Sequence, residues 1–218
     1  MNVLAIDTST EVLGLAAECG DVWATLAVRK GLQHSPALLP LAERLLQETG
    51  MVPSDLELIV CSTGPGSFTG IRIGLATALG IAQARQVPVV GVSSLDAMAR
   101  MNAGHDGDIF PVIDARKGKL YAAVFRGGDR QGDYMDITPA ELGARLAASR
   151  APMLVGPDAG RIRLMLGESW AHVPVSEATD PRTLLCLGKE RYESEGAPQT
   201  VIQPLYLRKS EAEIASGR

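Results

Sequence analysis

Runs of apolar residues separated by short polar turns divide the first half of the chain into strands and helices. Three apolar runs fill residues 2–30, and a Gly-Asp pair between the second and third is typical of a hairpin turn. The next segment predicts a helix over 35–49, with Ser35 as its cap and Pro36 at its first helical position. Pro40 removes one backbone hydrogen bond in the second turn, so a regular helix that begins only there is the alternative.

Beyond that helix, buried strands and helices alternate. The apolar runs at 56–63 and 87–94 have the continuous hydrophobicity of strands in a parallel sheet. Each is followed by a helical pattern, the first ending near Arg85 and the second covering 94–104. Together with the antiparallel start, this alternation predicts a mixed α/β sheet with helices packed against it.

The second half repeats the layout of the first. In both halves an apolar strand ends in Ile-Asp, at Asp7 and Asp114, and a polar turn leads into a second strand that carries an Ala-Ala pair. Internal duplication explains the match, and coincidence is the alternative. We therefore expect two related subdomains, 1–105 and 106–218, joined near residues 102–109, of which the second is reduced and ends in a polar tail.

The stretch TGPGSFTGIRIG, residues 63–74, resembles a phosphate-binding loop but departs from each known template. Its glycines are spaced G-x-G-x-x-x-G, whereas a dinucleotide fingerprint has G-x-G-x-x-G. Ile71 stands where a Walker A loop needs lysine. Ser67 lacks the flanking glycines of a hydrolase elbow, and the sequence links no histidine to it as a base. The motif therefore does not predict a nucleotide or hydrolase site.

The helix that follows the motif carries small residues at intervals of four. Gly70, Gly74, Ala78 and Ala82 recur on one face, next to an apolar face that begins with Ile71. Glycine inside a helix costs about 1 kcal/mol relative to alanine, so close approach of another backbone is the expected reason for these glycines. That backbone belongs either to the chain's own sheet or to a partner protein. An anion at the helix start is a third alternative.

Three other residues are candidates for chemistry. Asp7 and Thr8, at the end of the first strand, could hold the metal and phosphate of a nucleotide, and the simpler alternative is a hairpin turn in which they bond local amides. His34 would be a strong metal signal only with a second histidine four residues on, where Leu38 stands. We therefore interpret His34 as a capping or interface residue and predict no metal site.

Composition narrows the function classes. The net charge of −4 over 218 residues argues against unaided binding to a nucleic-acid backbone, so we expect RNA to reach this chain only through a partner. The three cysteines are far apart, form no metal or redox pair and fit buried thiols. The N-terminus lacks a basic leader, and no run approaches the length of a membrane span, about 20 apolar residues. A cytoplasmic protein is expected.

Five segments, in order, match a known family. The segments LAIDTS, HSPALLP, STGPGSFTGIRIG, VGVSSLDAMA and PLYLR closely resemble the bacterial TsaB (YeaZ) family of the sugar kinase, Hsp70 and actin superfamily. The likeness covers nearly the whole chain and is most specific between residues 1 and 125. It implies a two-subdomain, ribonuclease H-like α/β fold and a role in making threonylcarbamoyladenosine beside the anticodon of tRNA.

The resemblance also implies which molecules the chain works with. In the family the chemistry belongs to a paralogous partner, TsaD, which carries a His-x-x-x-His metal site and binds nucleotide, and an ATPase, TsaE, joins the complex. This chain would then be a non-catalytic scaffold or activator without a cofactor, a homodimer when alone, and in contact with tRNA only indirectly. A small-molecule kinase that uses Asp7 and a peptidase are the alternatives.

Partner contacts are expected on the helices that begin at HSPALLP and GSFTGIRIG. A bulky residue at Gly74 would, on this hypothesis, disrupt association and leave the monomer folded. The residues carried over to the interface are His34, Leu38, Gly70, Ile71, Arg72, Gly74, Leu75 and Ala78.

Overall fold

The chain forms two compact units. The computed structural model describes residues 1–29, 34–170, 173–176, 180–198 and 202–208. The first unit contains Met1–Ala97 and the described part of Thr179–Pro204, and the second contains the described parts of Met98–Ala178 and Leu205–Arg218. The described helices are α1 (Ser35–Glu48), α2 (Phe68–Arg85), α3 (Ser94–Arg100), α4 (Pro139–Ala147), α5 (Ala159–Leu166) and α6 (Pro181–Glu195).

A five-stranded mixed sheet forms the centre of the first unit. Its strands are β1 (Asn2–Asp7), β2 (Val12–Cys19), β3 (Val22–Arg29), β4 (Leu58–Gly64) and β5 (Val89–Ser93), in the order β3-β2-β1-β4-β5. The central strand β1 runs antiparallel to β2 and parallel to β4, so that Ile6 lies beside Leu15 on one side and Cys61 on the other. The predicted hairpin at the start and the predicted parallel strands after it are both confirmed.

The helices α1 and α2 cover one face of this sheet. Leu4 and Ile6 of β1 point into the core beneath them, because alternate side chains of a strand face opposite sides. The helix α1 starts at Ser35 with Pro40 inside it, so the alternative start at Pro40 is wrong. Its N-cap residue is His34, which makes no side-chain capping bond, and the prediction that Ser35 caps the helix is also wrong.

The helix α6 covers the opposite face of the same sheet. Leu184 packs there in one buried cluster with Val3 and Ala5 of β1. A Cβ atom on Gly188 would lie 2.3 Å from the side chain of Val60, so the helix sits very close to the sheet. The sequence assigned everything after residue 105 to the second subdomain, but α6 belongs to the first unit because its apolar residues are buried against this sheet.

The second unit repeats the topology of the first with shorter strands. The strands of this unit are β6 (Ile109–Arg116), β7 (Lys119–Ala122), β10 (Met135–Ile137), β11 (Met153–Val155) and β12 (Val175–Ser176), in the order β10-β7-β6-β11-β12, with the hairpin β8 (Phe125–Arg126) and β9 (Asp129–Arg130) beside β6. The strand β6 takes the central place that β1 has in the first unit, with an antiparallel neighbour on one side and a parallel one on the other.

Helices pack against the sheet of the second unit, as they do in the first. The helices α4 and α5 contribute Leu142, Leu146 and Ile162 to the buried cluster on the second sheet. Two sheets of one order, each flanked by helices and the second reduced, confirm the predicted α/β fold of two related subdomains with mixed sheets.

A buried carboxylate fixes the start of β6. Asp108 is 1% exposed, and its two oxygens accept hydrogen bonds from Nε and Nη2 of Arg126 at 2.7 and 3.0 Å. The amide of Arg150 donates to the same carboxylate at 3.2 Å. The hydrogen bonds from Arg126 lower the pKa of Asp108, against the opposing effect of burial.

Replacing Asp108 with asparagine should lower the free energy of unfolding by about 2 kcal/mol at neutral pH, because the charge-assisted bonds to Arg126 are lost. Since the folded pKa is depressed, this stabilisation is present above the ordinary carboxyl pKa of about 4 and disappears as the pH falls through the folded value. Urea unfolding of both proteins at neutral and acid pH measures the difference. We expect it to shrink in acid, and a difference that did not change with pH would contradict this account. Asp106→Asn, at an exposed neighbouring position, is the control.

Candidate functional site on the glycine motif and its helix

The glycine motif holds the turn between β1 and β2. Thr8 and Ser9, which begin this turn, are buried. Thr8 Oγ1 donates a hydrogen bond to the carbonyl oxygen of Gly70 at 2.7 Å, and the amide of Ser67 donates to the carbonyl oxygen of Ser9, also at 2.7 Å. The start of α2 is therefore occupied by a segment of the chain itself.

Three glycines of the motif are required because the turn lies so close. A Cβ atom on Gly66 would stand 2.1 Å from the carbonyl oxygen of Ser9, and one on Gly70 would stand 2.1 Å from that of Thr8. A Cβ atom on Gly74 would stand 2.3 Å from Thr8 Oγ1. Atoms at these distances overlap, so a residue with a side chain does not fit. Contact with Thr8 thus accounts for both helix glycines, since Gly70 meets its backbone carbonyl and Gly74 meets its side chain.

The polar groups around the turn bond to one another. Asp7 Oδ1 accepts hydrogen bonds from the amide of Ser9 at 2.9 Å and from its hydroxyl at 2.6 Å. Ser67 Oγ caps α2 by accepting from the amide of Gly70 at 3.1 Å. These are the bonds of a hairpin turn and of a helix cap, which is the simpler of the two interpretations of Asp7.

The thiol of Cys61 lies beneath the motif, on β4. It is completely buried, and a Cβ atom on Gly74 would lie 3.6 Å from its sulfur. Burial, together with the nearby Asp7 carboxylate, raises the pKa of this thiol. Because the thiolate is the reactive form of cysteine, Cys61 is a packing residue rather than a nucleophile.

Most of the predicted interface residues are buried within this chain. The stripe that begins at Gly70 faces the β1–β2 turn and the sheet, so it does not present its small residues to a partner. Of the eight predicted residues Arg72 is the exposed one, and a bulky residue at Gly74 would collide with Thr8 and damage the fold itself. The buried ones are His34, Leu38, Gly70, Ile71, Gly74, Leu75 and Ala78.

His34 joins the β1–β2 turn to the start of α1. It is 0% exposed, and its Nε2 lies 2.8 Å from the carbonyl oxygen of Thr10. Because a carbonyl accepts hydrogen bonds, Nε2 carries the proton in this contact. His34 is therefore an internal link: it occupies the N-cap position of α1 as predicted, but its side chain makes no capping bond and is buried within the chain.

The outer face of α2, defined by the exposed residues Arg72, Ala76, Gly80 and Ala84, carries a second series of small side chains. Among the residues that the structure describes, nothing lies within 4 Å of the place where a Cβ atom on Gly80 would stand. An interior glycine costs about 1 kcal/mol relative to alanine, and packing against those residues gives no reason for this one. The outer face is thus the better candidate for close approach of another backbone. In the sequence, the outer face could have been found by the same four-residue spacing as in the stripe that begins at Gly70.

Exposed apolar groups lie on the same two helices. Leu39 of α1 is 57% exposed, and Phe68, the first residue of α2, is 36% exposed. The guanidinium carbon of Arg72 stands 3.8 Å from the centre of the Phe68 ring. Aromatic residues and arginine are enriched in protein interfaces, so this composition fits a contact surface.

The described part of the chain holds two histidines, and both contact backbone carbonyls. His34 and His105, the two histidines within it, each lie at hydrogen-bond distance from a backbone carbonyl through Nε2, and His172 falls outside the described residues. No three side chains of His, Cys, Asp or Glu gather as metal ligands among the residues that the structure covers. The predicted lack of a metal and of catalysis stays a prediction.

Asp114, which corresponds to Asp7 in the repeat, is anchored within the second unit. Its carboxylate accepts from Arg161 Nη2 at 2.9 Å and from the amide of Arg116 at 2.8 Å. Burial acts to raise the pKa of Asp114, but the hydrogen bond from Arg161 and the other bonds outweigh it and lower the pKa. In both units the acid at the end of the central strand therefore fixes the following turn.

The chain is similar to known proteins over almost its whole length. Residues 27–153 match the family described as TsaD, tRNA N6-adenosine threonylcarbamoyltransferase. The tRNA threonylcarbamoyladenosine biosynthesis protein TsaB of Bacillus subtilis (strain 168) is 32% identical, over 98% of this chain and 96% of its own length. This chain belongs to the TsaB family. TsaB of Escherichia coli (strain K12) is 29% identical, over 97% of this chain and 96% of its own length.

Solved structures agree with membership of the TsaB family. A Pseudomonas aeruginosa protein described as similar to the peptidase YeaZ superposes with a TM-score of 0.79 at 26% identity, over 95% of this chain and 99% of its own. YeaZ from Pseudomonas aeruginosa gives a TM-score of 0.75, also at 26% identity, over 94% and 99%. The resemblance to TsaB is confirmed. In the part of this TsaB-family chain that the structure describes, no helix is both long and apolar enough to cross a bilayer.

Proposed function

We propose that this chain is a non-catalytic subunit that supports threonylcarbamoyl transfer to the adenosine beside the anticodon of tRNA by a TsaD-type partner. The observation that carries the proposal is Gly80, an exposed glycine within α2 that packing against the described residues does not explain. Support for the reaction comes from the relatives named for threonylcarbamoyladenosine biosynthesis. Because the substrate is tRNA, the proposed place of action is the cytoplasm.

The partner would meet the outer face of α2 and the exposed side of α1. Small residues let two helices pack at the short end of the usual interaxial range, about 8–10 Å. Residues 27–153, which include α1 and α2, themselves match the TsaD family, so a TsaD-type partner would bring corresponding helices to the contact. The same face would form a homodimer when the chain is alone, with a two-fold axis relating the paired helices. A TsaE-type ATPase would join the assembled pair.

Reconstitution of the reaction tests the proposed function. Threonylcarbamoyl transfer to unmodified tRNA is measured with the TsaD-type and TsaE-type proteins, with and without this chain. We expect transfer to depend on the chain, and the chain without the TsaD-type protein to give none. Transfer that proceeds equally well when the chain is omitted would overturn the proposal.

The isolated chain is assayed in parallel for the two alternative activities. A kinase predicts ATP binding that calorimetry detects at micromolar concentration, and Asp7→Asn, which keeps the size of the side chain, should then abolish it. A peptidase predicts a proteolytic activity that Ser67→Ala removes, whereas loss of the helix cap alone costs about 1 kcal/mol of stability. We expect the chain to show neither activity. ATP binding that Asp7→Asn abolishes, or proteolysis that Ser67→Ala removes, would overturn the proposed scaffold function.

A further inference from the structure

Most edges of the two sheets are short or covered. A free edge strand presents unpaired N–H and C=O groups to other chains, so proteins shorten it, interrupt it or cover it. The edge strand β5 is covered, because Arg191 Nη1 donates to the carbonyl oxygen of Gly91 at 2.6 Å and a Cβ atom on Gly91 would stand 3.0 Å from Ile202. In the second sheet the edge strands β9, β10 and β12 have only two or three residues each.

The strand β3 is an edge without such protection. It has eight residues, contains no proline and pairs with β2 in continuous register over its whole length. Among the residues that the structure describes, β2 is its only partner strand. Its one charged residue is Arg29, at its end. The strand thus offers a long, regular edge that packing against the described residues leaves open.

The register of the β2–β3 hairpin determines which backbone groups point out from this edge. Its two-residue turn places Cys19 opposite Val22. In a hairpin of this kind the facing pair beside the turn exchanges two hydrogen bonds, and such pairs alternate with non-bonded pairs along the ladder. Every second residue from Val22 onward therefore bonds to β2. The residues between them direct N–H and C=O outward, and these are Trp23, Thr25, Ala27 and Arg29.

Large apolar side chains stand at one end of the edge. Trp23 is 48% exposed although the guanidinium carbon of Arg182 lies 3.8 Å from the centre of its ring. Val22 beside it is 53% exposed. Tryptophan is among the residues most enriched at the energetic centres of protein contacts. An open edge that carries an exposed tryptophan is therefore more typical of a contact surface than of a strand that faces water.

We infer that β3 pairs antiparallel with β3 of a second copy of this chain, so that the two five-stranded sheets become continuous. The strand is complementary to itself when the two-fold axis passes beside Leu26. Arg29 of one copy then lies opposite Trp23 of the other, an arrangement that suits a cation and an aromatic ring. Thr25 lies opposite Ala27, and Leu26 lies opposite its own copy. In both outward-facing pairs the backbone groups meet and bond.

Other registers are less favourable. A shift by two residues in one direction takes Trp23 past the end of the other strand, and the opposite shift takes Arg29 past its start. A larger shift that sets Arg29 opposite Arg29 places like charges together, which is destabilising. The register at Leu26 therefore pairs all the outward groups of β3 and avoids charge repulsion.

The contacts that these residues make within the chain are compatible with the pairing. Arg29 Nη1 lies 3.8 Å from the carboxylate of Glu11, and both side chains are about half exposed. A guanidinium can keep a carboxylate at its edge while its face lies on an aromatic ring. Trp23 likewise keeps its contact with Arg182, because the exposed part of its ring is what the second copy would meet.

The pairing uses a different part of the first unit from the proposed contact through α2. The helix α2 packs on β4 and β1, and β2 separates these strands from β3. The outer face of α2 would therefore remain open to a TsaD-type partner. A joint between two strands buries little surface, which places it among weak, transient contacts that form at higher concentration. It adds to the contact through α2 and does not replace it.

A charge exchange tests both the pairing and its register. The chain that carries Gly80→Arg, which removes the proposed contact through α2, is followed by sedimentation velocity up to high concentration. Trp23→Arg in this chain would set two arginines opposite each other, and Trp23→Arg with Arg29→Glu would set opposite charges there. Val52→Arg, at another exposed apolar position of the first unit, is the control.

A proline variant provides a second test that does not depend on charge. Ala27→Pro removes an outward N–H of the joint without removing a bond of the β2–β3 ladder, and proline is tolerated at such positions of edge strands. Circular dichroism and thermal unfolding are recorded for every variant, so that loss of the fold is distinguished from loss of the joint.

We expect the Gly80→Arg chain to form dimers as its concentration rises. Trp23→Arg should weaken this dimer about tenfold, the further change Arg29→Glu should restore it, and Val52→Arg should leave it unchanged. Ala27→Pro should weaken it at least as much. A Gly80→Arg chain that stays monomeric would overturn the inference. A dimer that withstands both Trp23→Arg and Ala27→Pro, or that Arg29→Glu does not restore, would overturn it as well.

The same measurements separate this inference from the proposed function. If Gly80→Arg does not change association with the TsaD-type protein, the contact through α2 fails. The pairing through β3 is then still judged by whether Trp23→Arg and Ala27→Pro lower the mass of the chain at high concentration.

Discussion

Gly70→Ala should lower the free energy of unfolding by about 3 kcal/mol or more, whereas Gly80→Ala on the same helix should raise it by up to about 1 kcal/mol. At position 70 the new methyl group would stand 2.1 Å from the carbonyl oxygen of Thr8. Relief of that overlap requires the β1–β2 turn to move away from α2, which breaks the bond from Thr8 Oγ1 to the Gly70 carbonyl. At position 80 the methyl group meets no described residue within 4 Å and improves helix propensity.

Urea unfolding followed by circular dichroism measures both changes. The midpoints should move in opposite directions, with slopes close to that of the wild type. Because both substitutions add one methyl group to one helix, the pair controls for composition and for general effects on helix formation. Equal effects of the two, in either direction, would contradict the assignment of the inner and outer faces of α2.

Gly80→Arg and Ala76→Arg should each weaken association with the TsaD-type partner by about a hundredfold or more, because a long charged side chain then stands where the partner's backbone must approach. Both positions are exposed in the monomer, so its stability should change little. Light scattering after size-exclusion chromatography, with and without the partner, gives the mass of each species. The same variants should also abolish the homodimer.

Two controls make the association experiment decisive. Thr25→Arg adds the same charge at an exposed position on β3 and should leave association intact. Gly80→Ala should weaken association moderately although it stabilises the monomer, a combination that partial unfolding does not produce. Wild-type elution of both arginine variants with the partner would contradict the interface on the outer face of α2.

Much of the fold can be predicted from the sequence because the two periodicities are clear. Continuous apolar runs predict β1, β4 and β5, and four-residue spacing predicts α2, all of which the structure contains. The sheet on which α6 packs is harder to predict from the sequence. Its apolar residues are buried on the first sheet although they follow the second unit in sequence, and periodicity shows that a helix buries a face without showing which sheet receives it.

The sequence likewise does not show which face of α2 points into the protein. The helix α2 carries one series of small residues from Gly70 and another through Ala76 and Gly80, and both have the spacing of a close contact. Which series faces inward depends on the β1–β2 turn, whose Thr8 reaches Gly70 across 62 positions of sequence. The motif could therefore be read as a place of close backbone approach, but the identity of the approaching backbone required the structure.

We propose that the chain acts by associating with its partner through the outer face of α2. The most direct test of this proposal is threonylcarbamoyl transfer in the reconstituted system with Gly80→Arg in place of the wild-type chain, at concentrations where the wild-type complex is saturated. We expect Gly80→Arg to behave like omission of the chain while the variant remains folded. Threonylcarbamoyl transfer at the wild-type rate with this variant would contradict action through the outer face of α2.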